Sequence, residues 1–118
     1  MGDNRRRFVR VRATLRFTFA WADAEGRAHF ELFRTLDVSA SGVQVVRHVV
    51  GSAVPTLSSR GEAAFNVDST EVRCEAEVVR CTDDGFAVRL QRLPRALEDK
   101  VVAWVFRTEA LLIARRLQ

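Results

Sequence analysis

Residues 9–19 alternate without a fault. Every odd position is apolar (Val9, Val11, Ala13, Leu15, Phe17, Phe19), and the even positions between them are polar or charged (Arg10, Arg12, Thr14, Arg16, Thr18). A period of two marks a strand with one face in a core and the other in water. The stretch therefore commits the chain to a fold in which half-buried strands surround a common core.

The pattern recurs along the chain. Turn chemistry at residues 23–26 separates the first strand from a second at 29–37, and the two are expected to pair antiparallel. Residues 39–42 break the chain again before a short apolar strand at 43–46, and 51–59, which contains Pro55, reads as a loop. Further strands are expected at 61–67, 71–81 and 86–90. In the fifth, Val72, Cys74, Ala76 and Val78 alternate with Glu71, Arg73, Glu75 and Glu77, and the Asp83-Asp84-Gly85 turn leads into the sixth as a hairpin.

After Pro94 the period becomes helical, over residues 95–117. Leu97, Val101, Trp104, Val105, Leu111 and Leu112 make one broad face, with Trp104 as a core anchor, and Val102, Phe106 and Ile113 extend it. Closing an open barrel end accounts for most of this surface. Packing on the barrel alone is the favoured reading; the alternative for the surplus is an additional contact through the C-terminal helix, a homodimer or another partner. Strands followed by one helix, with no internal repeat, point to a barrel or sandwich with an appended helix.

A chain of 118 residues, 47% hydrophobic and 29% charged, suits one globular domain. No apolar run approaches the roughly 18 residues that span a bilayer, and no export signal is seen, so a cytoplasmic protein without membrane insertion is expected. Cys74 and Cys81 stand too far apart on one extended strand for a disulfide and are read as reduced core residues. Two cysteines without CxxC spacing and two distant histidines, His29 and His48, offer neither a metal set nor a nucleophile with its base. No catalytic residue, metal or cofactor is expected, and the chain is not read as an enzyme.

The net charge is only +4, but the positive charge is placed unevenly and is almost all arginine, Lys100 being the single lysine. Arg5, Arg6, Arg7, Arg10, Arg12 and Arg16 follow one another with no acid among them, so this end attracts anions. Arg80 and Arg89, on later strands, could face the same site, but solvated positions are the favoured reading.

Two short patterns carry chemistry. The first is the arginine cluster Arg5-Arg6-Arg7-Phe8-Val9-Arg10 at the mouth of the first strand. Guanidinium groups grip phosphate oxygens in pairs and lie flat on purine rings, which lysine does poorly. The second is Asp37-Val38-Ser39-Ala40-Ser41-Gly42, at the end of the second strand. A carboxylate can accept the donor edge of guanine, a serine hydroxyl adds a contact, and glycine permits positive φ or a close backbone approach.

Together these patterns resemble the PilZ family, whose signatures are RxxxR near the N-terminus and D/NxSxxG some thirty residues later. Arg6 and Arg10 meet the first, with Arg7 as its doubled arginine, and Asp37, Ser39 and Gly42 meet the second. The resemblance extends through the later strands and the helix to nearly the whole chain. It implies a mainly β fold, a six-stranded antiparallel β-barrel over residues 9–92 with a flexible arginine-rich arm at 1–8 and a C-terminal α-helix at 95–117. It also implies a receptor for cyclic di-GMP, in which Arg6, Arg7 and Arg10 contact phosphates and stack on guanine, Asp37 and Ser39 hold a guanine edge, and Gly42 shapes the turn. Such a receptor changes shape on binding and passes the signal to a downstream protein partner, controlling a process such as motility or exopolysaccharide production. Two other readings stand beside it: a PilZ-like interaction module that works through the apolar helix without nucleotide, and a small barrel using its basic arm on nucleic acid. The second is disfavoured by a chain with no tyrosine and with its phenylalanines mostly at apolar strand positions.

Overall fold

A computed structural model describes residues 9–117. The alternation that opens the chain continues to Trp21, but it is not one strand. It divides into β1 (Val11–Arg12) and β2 (Arg16–Ala22), both antiparallel to β3 (Ala28–Val38). Val11 faces Val38 and Phe17 faces Phe33; between these pairings residues 13–15 lie opposite a shorter stretch of β3, and the register slips by one. Thr35, only 1% exposed, bridges the slip. Its hydroxyl accepts the Leu15 N–H at 2.8 Å and donates to the Ala13 carbonyl, while its own N–H reaches the Leu15 carbonyl at 2.9 Å. The ladder breaks while the inward and outward faces persist, which is why the alternation reads as a single strand.

The remaining strands are β4 (Gly42–Arg47), β5 (Arg60–Val67), β6 (Thr70–Cys81) and β7 (Gly85–Gln91). Their hydrogen-bonded order runs β3, β2, β5, β6, β7, β4, and β4 pairs back to β3, every pairing antiparallel. The result is a closed six-stranded barrel, with β1 as one extra short strand on β3. Phe17, Phe19, Phe33 and Phe86 are wholly buried inside it, Phe33 meeting Phe86 edge-on at 4.8 Å. At the β2–β3 hairpin the Asp23 carboxylate binds the His29 ring and the N–H groups of Arg27 and Glu25, each at 2.9 Å, with His29 stacked on Trp21. The His29 contact, followed by the backbone donors, holds the Asp23 carboxyl below its ordinary range.

The helix, α1 (Arg95–Arg116), packs beside β1 and β5 through Val101, Val102, Trp104 and Val105. Only its first half lies on the barrel. Leu111, expected on the packed face, is therefore 59% exposed, and Val102, expected beyond that face, is buried. Among the described residues no helix is long and apolar enough to cross a membrane.

A second irregularity lies in β6, where the register against β7 slips between Val78 and Arg80. Such a bulge turns Arg80 outward, where alternation from Val78 would face it to the core, and sets Cys81 opposite Phe86 at the end of the strand. Val79, Arg80 and Cys81 are all exposed, which corrects the expectation of two core cysteines: Cys74 is buried, Cys81 is not, and both are free. Burial pushes the Cys74 thiol up to about 11. Alkylation of the folded protein followed by mass measurement is thus expected to label Cys81 alone, and unfolding to release the second site. Replacing Thr35 by Val leaves the Leu15 N–H and Ala13 carbonyl without their bridge and is expected to lower stability by about 1–3 kcal/mol in urea titrations, whereas Thr35→Ser should lose less.

Candidate ligand-binding groove

The turn from β3 to β4 is built around one side chain. Ser39 is buried, and its hydroxyl accepts the N–H groups of Ser41 (3.3 Å) and Gly42 (3.1 Å) and lies 3.1 Å from the Gly42 carbonyl and 3.0 Å from the Ser41 hydroxyl. One proton and two lone pairs are thereby used inside the turn. Gly42 serves a close approach: a Cβ there would stand 2.7 Å from the Val88 carbonyl oxygen of the neighbouring strand. Its backbone is not among those with positive φ.

Asp37 owes its position to a bulge. The β3–β4 register slips between Thr35 and Asp37, so that Leu36 and Asp37 both turn away from the core between buried Thr35 and Val38. The Asp37 carboxylate, one quarter exposed, lies 3.9 Å from the Arg10 guanidinium, which is mostly in solvent. An ion pair of this length in water holds weakly and is readily exchanged.

Arg10, Asp37, Ser41 and Gly42 form one side of a groove of about 340 Å³ on the outside of the barrel, completed by Gln44, Val79, Arg80, Ala87 and Arg89. The groove is within the size range of small-molecule sites, roughly 300–1,000 Å³. Arg80 donates to the Gln44 side chain at 3.1 Å, and Arg89 pairs with Glu77 at 2.7 Å. Solvated positions were the favoured expectation for both, with the site as the alternative; both are exposed, and both line the same groove as Asp37. The β6 bulge that aims Arg80 leaves no mark in the alternation. Of the six residues singled out from the sequence, Arg10, Asp37 and Gly42 line the groove and Ser39 sits beneath it; Arg6 and Arg7 lie outside the described residues.

The basic stretch does not act as one block. Arg12 lies beside Ala13, Thr14 and Leu36, and Arg16 lies among Thr18, Phe30, Leu32 and Arg73, on separate parts of the surface from Arg10. Among the described residues no group of His, Cys, Asp and Glu is arranged to hold a metal.

A family model described as the PilZ domain matches residues 4–107, nearly the whole chain. The chain belongs to the PilZ domain family. PilZ domains are regulatory binding domains and form a receptor family for cyclic di-GMP. Among solved structures, the PilZ domain of CeSA from a cellulose-synthesizing bacterium superposes with a TM-score of 0.60 at 20% identity, over 85% of this chain and 97% of that one. The Bacillus subtilis inhibitor of motility (MotI/DgrA) superposes with a TM-score of 0.64 at 14% identity, over 86% of this chain; the matched region is 49% of that protein. Likenesses at these identities establish the PilZ barrel and nothing finer. No curated protein matches the chain.

Since the Gly42 Cβ position is already taken by a β7 carbonyl, Gly42→Ala is expected to push β4 from β7 and cost about 1–3 kcal/mol. A lowered melting temperature would show it.

Proposed function

We propose that this PilZ domain is a cyclic di-GMP receptor and adaptor, with the nucleotide seated in the groove between Asp37 and Arg80. The meeting of Arg10 and Asp37 at one wall, 3.9 Å apart and partly in solvent, is the observation that carries this reading. Cyclic di-GMP has two phosphates and two guanines. Its guanine N–H edge needs a fixed acceptor, and its phosphates and ring faces need guanidinium groups. In this assignment Asp37 accepts the guanine edge, Arg10 leaves Asp37 for a phosphate or a ring face, and Arg6 and Arg7 supply further guanidinium groups from the preceding segment. Ser39 and Gly42 serve by holding the turn in shape, with Ser41 rather than Ser39 offering its hydroxyl side to the groove. Arg80 and Arg89 form the opposite wall.

Chelation of ligand by Arg6 and Arg7 ties the N-terminal segment to the barrel and alters the surface offered to a downstream protein partner. Control of motility or exopolysaccharide production is the kind of output this mechanism serves. Arg12 and Arg16 line other parts of the surface than Arg10, which supports a discrete site over a basic stripe for nucleic acid.

Charge-assisted hydrogen bonds contribute roughly 1.5–3 kcal/mol each. Arg10→Ala and Asp37→Ala are therefore each expected to weaken binding by about one to two orders of magnitude in isothermal titration with cyclic di-GMP. Arg6→Ala should behave alike, and Arg16→Ala should bind as the parent does. A folded parent protein that takes up no cyclic di-GMP, or takes up GTP equally well, would refute the assignment.

A further inference from the structure

From Phe106 onward α1 carries no buried residue, and Leu112 alone among its apolar side chains there stays packed against the core. The free half of the helix nevertheless bears a second apolar stripe. Phe106 (43% exposed), Ala110, Ile113 (46%) and Leu117 (83%) follow one another at intervals of four, three and four. At about 100° per residue they lie roughly 130° around the axis from the side that meets the barrel. Folding of the barrel does not call for them, since polar residues would serve a solvated helix face better. Their spacing is that of a two-helix seam.

We propose that this stripe is the seam of an antiparallel helix pair between two copies of the chain, related by a two-fold axis passing near residues 111 and 112. The order of side chains suits such a reversal. Phe106 of one copy meets Leu117 of the other, and each small Ala110 meets an Ile113, so small faces large at every inner position.

Charge selects the second copy and its direction. Glu109 and Arg116 share one flank of the stripe, and neither has an ion pair among the described residues. In an antiparallel two-fold pair each flank meets itself reversed, which sets Glu109 of each copy beside Arg116 of the other, twice over. In a parallel pair the same flank would meet Arg107, which is already bound to Asp68, and Ala114. Four side chains per helix make an interface below the roughly 1,200 Å² of a standard stable complex. The dimer is accordingly weak and depends on concentration. It needs no nucleotide and stands whether or not the groove binds one.

Sedimentation equilibrium on the 118-residue chain without nucleotide, over about a hundredfold range of concentration, is the test. The parent should pass from monomer to dimer and no further, and Ile113→Glu should stay monomeric throughout. Glu109→Arg alone and Arg116→Glu alone should each raise the dissociation constant about fivefold or more, and the combined exchange should restore it. All these positions are at least partly solvated, so circular dichroism should show an unchanged fold. A parent that is monomeric at every concentration, one that grows beyond the dimer, a dimer indifferent to Ile113→Glu, or a combined exchange that fails to restore pairing overturns the proposal.

Discussion

Pairing of β3 with β4 closes the row of strands into a barrel, and the rest of the molecule adjusts to that closure. β3 carries β1 and β2 on one edge and β4 on the other, so it must satisfy two ladders whose registers do not agree. The disagreement is absorbed between Thr35 and Asp37. Thr35 turns inward and uses its hydroxyl on the backbone groups released at 13–15, and Leu36 is left over as the bulged residue. Asp37 is turned outward by the same slip. The carboxylate assigned to guanine recognition thus stands where closure of the barrel puts it, on a strand held from both sides.

Electrostatics then separates this carboxylate from the short ion pairs made by Arg73 and Arg89. Arg73 is shared by Glu62 and Glu71 at 2.6 and 2.9 Å, which holds Glu71 below its ordinary range, and Arg89 reaches Glu77 at 2.7 Å. These contacts are short and mutually satisfied. Arg10 and Asp37, at 3.9 Å, approach one another without the geometry of a strong hydrogen bond. A ligand that brings its own donors and anionic oxygens therefore loses little by separating them. The same ligand would have to break good hydrogen bonds to recruit Arg73.

The strands, their order along the chain and the helix were legible in the sequence because burial on one face imposes a period of two, and helical packing a period of 3.6. Bulges were not legible. Residues 9–19 alternate through a break in the ladder, since the Thr35 bridge preserves the facing of side chains while shifting their partners. In β6 the opposite happens: the slip at Val79 reverses the facing, so Arg80 turns outward to the groove, against what simple alternation from Val78 implies. Ser39 and Gly42 were legible as a pair with a fixed spacing. Their separate tasks were not, because a hydroxyl buried beneath a turn and a glycine pressed on a neighbouring carbonyl depend on the path of β7, which lies some forty residues further on.

The two halves of the groove differ in rigidity, and that difference suits a sensor. One wall is fixed: Ser39 locks the turn with bonds confined to four consecutive residues, and Gly42 sits against β7 with no space for a side chain. Asp37 is thus presented to ligand with little to reorganise, which favours affinity. Arg10, beside Asp37, is not fixed in this way: its guanidinium is largely in water and held by one long contact. In the proposed assignment, capture of a dianionic nucleotide would move that arginine far more than it would change the barrel. A site rigid on both sides would bind without signalling, and one loose on both sides would spend its affinity on ordering itself. With the acceptor on the closed barrel and the cations at the chain's entry to it, the proposed site would convert binding energy into a local change of surface while the core stays as it is.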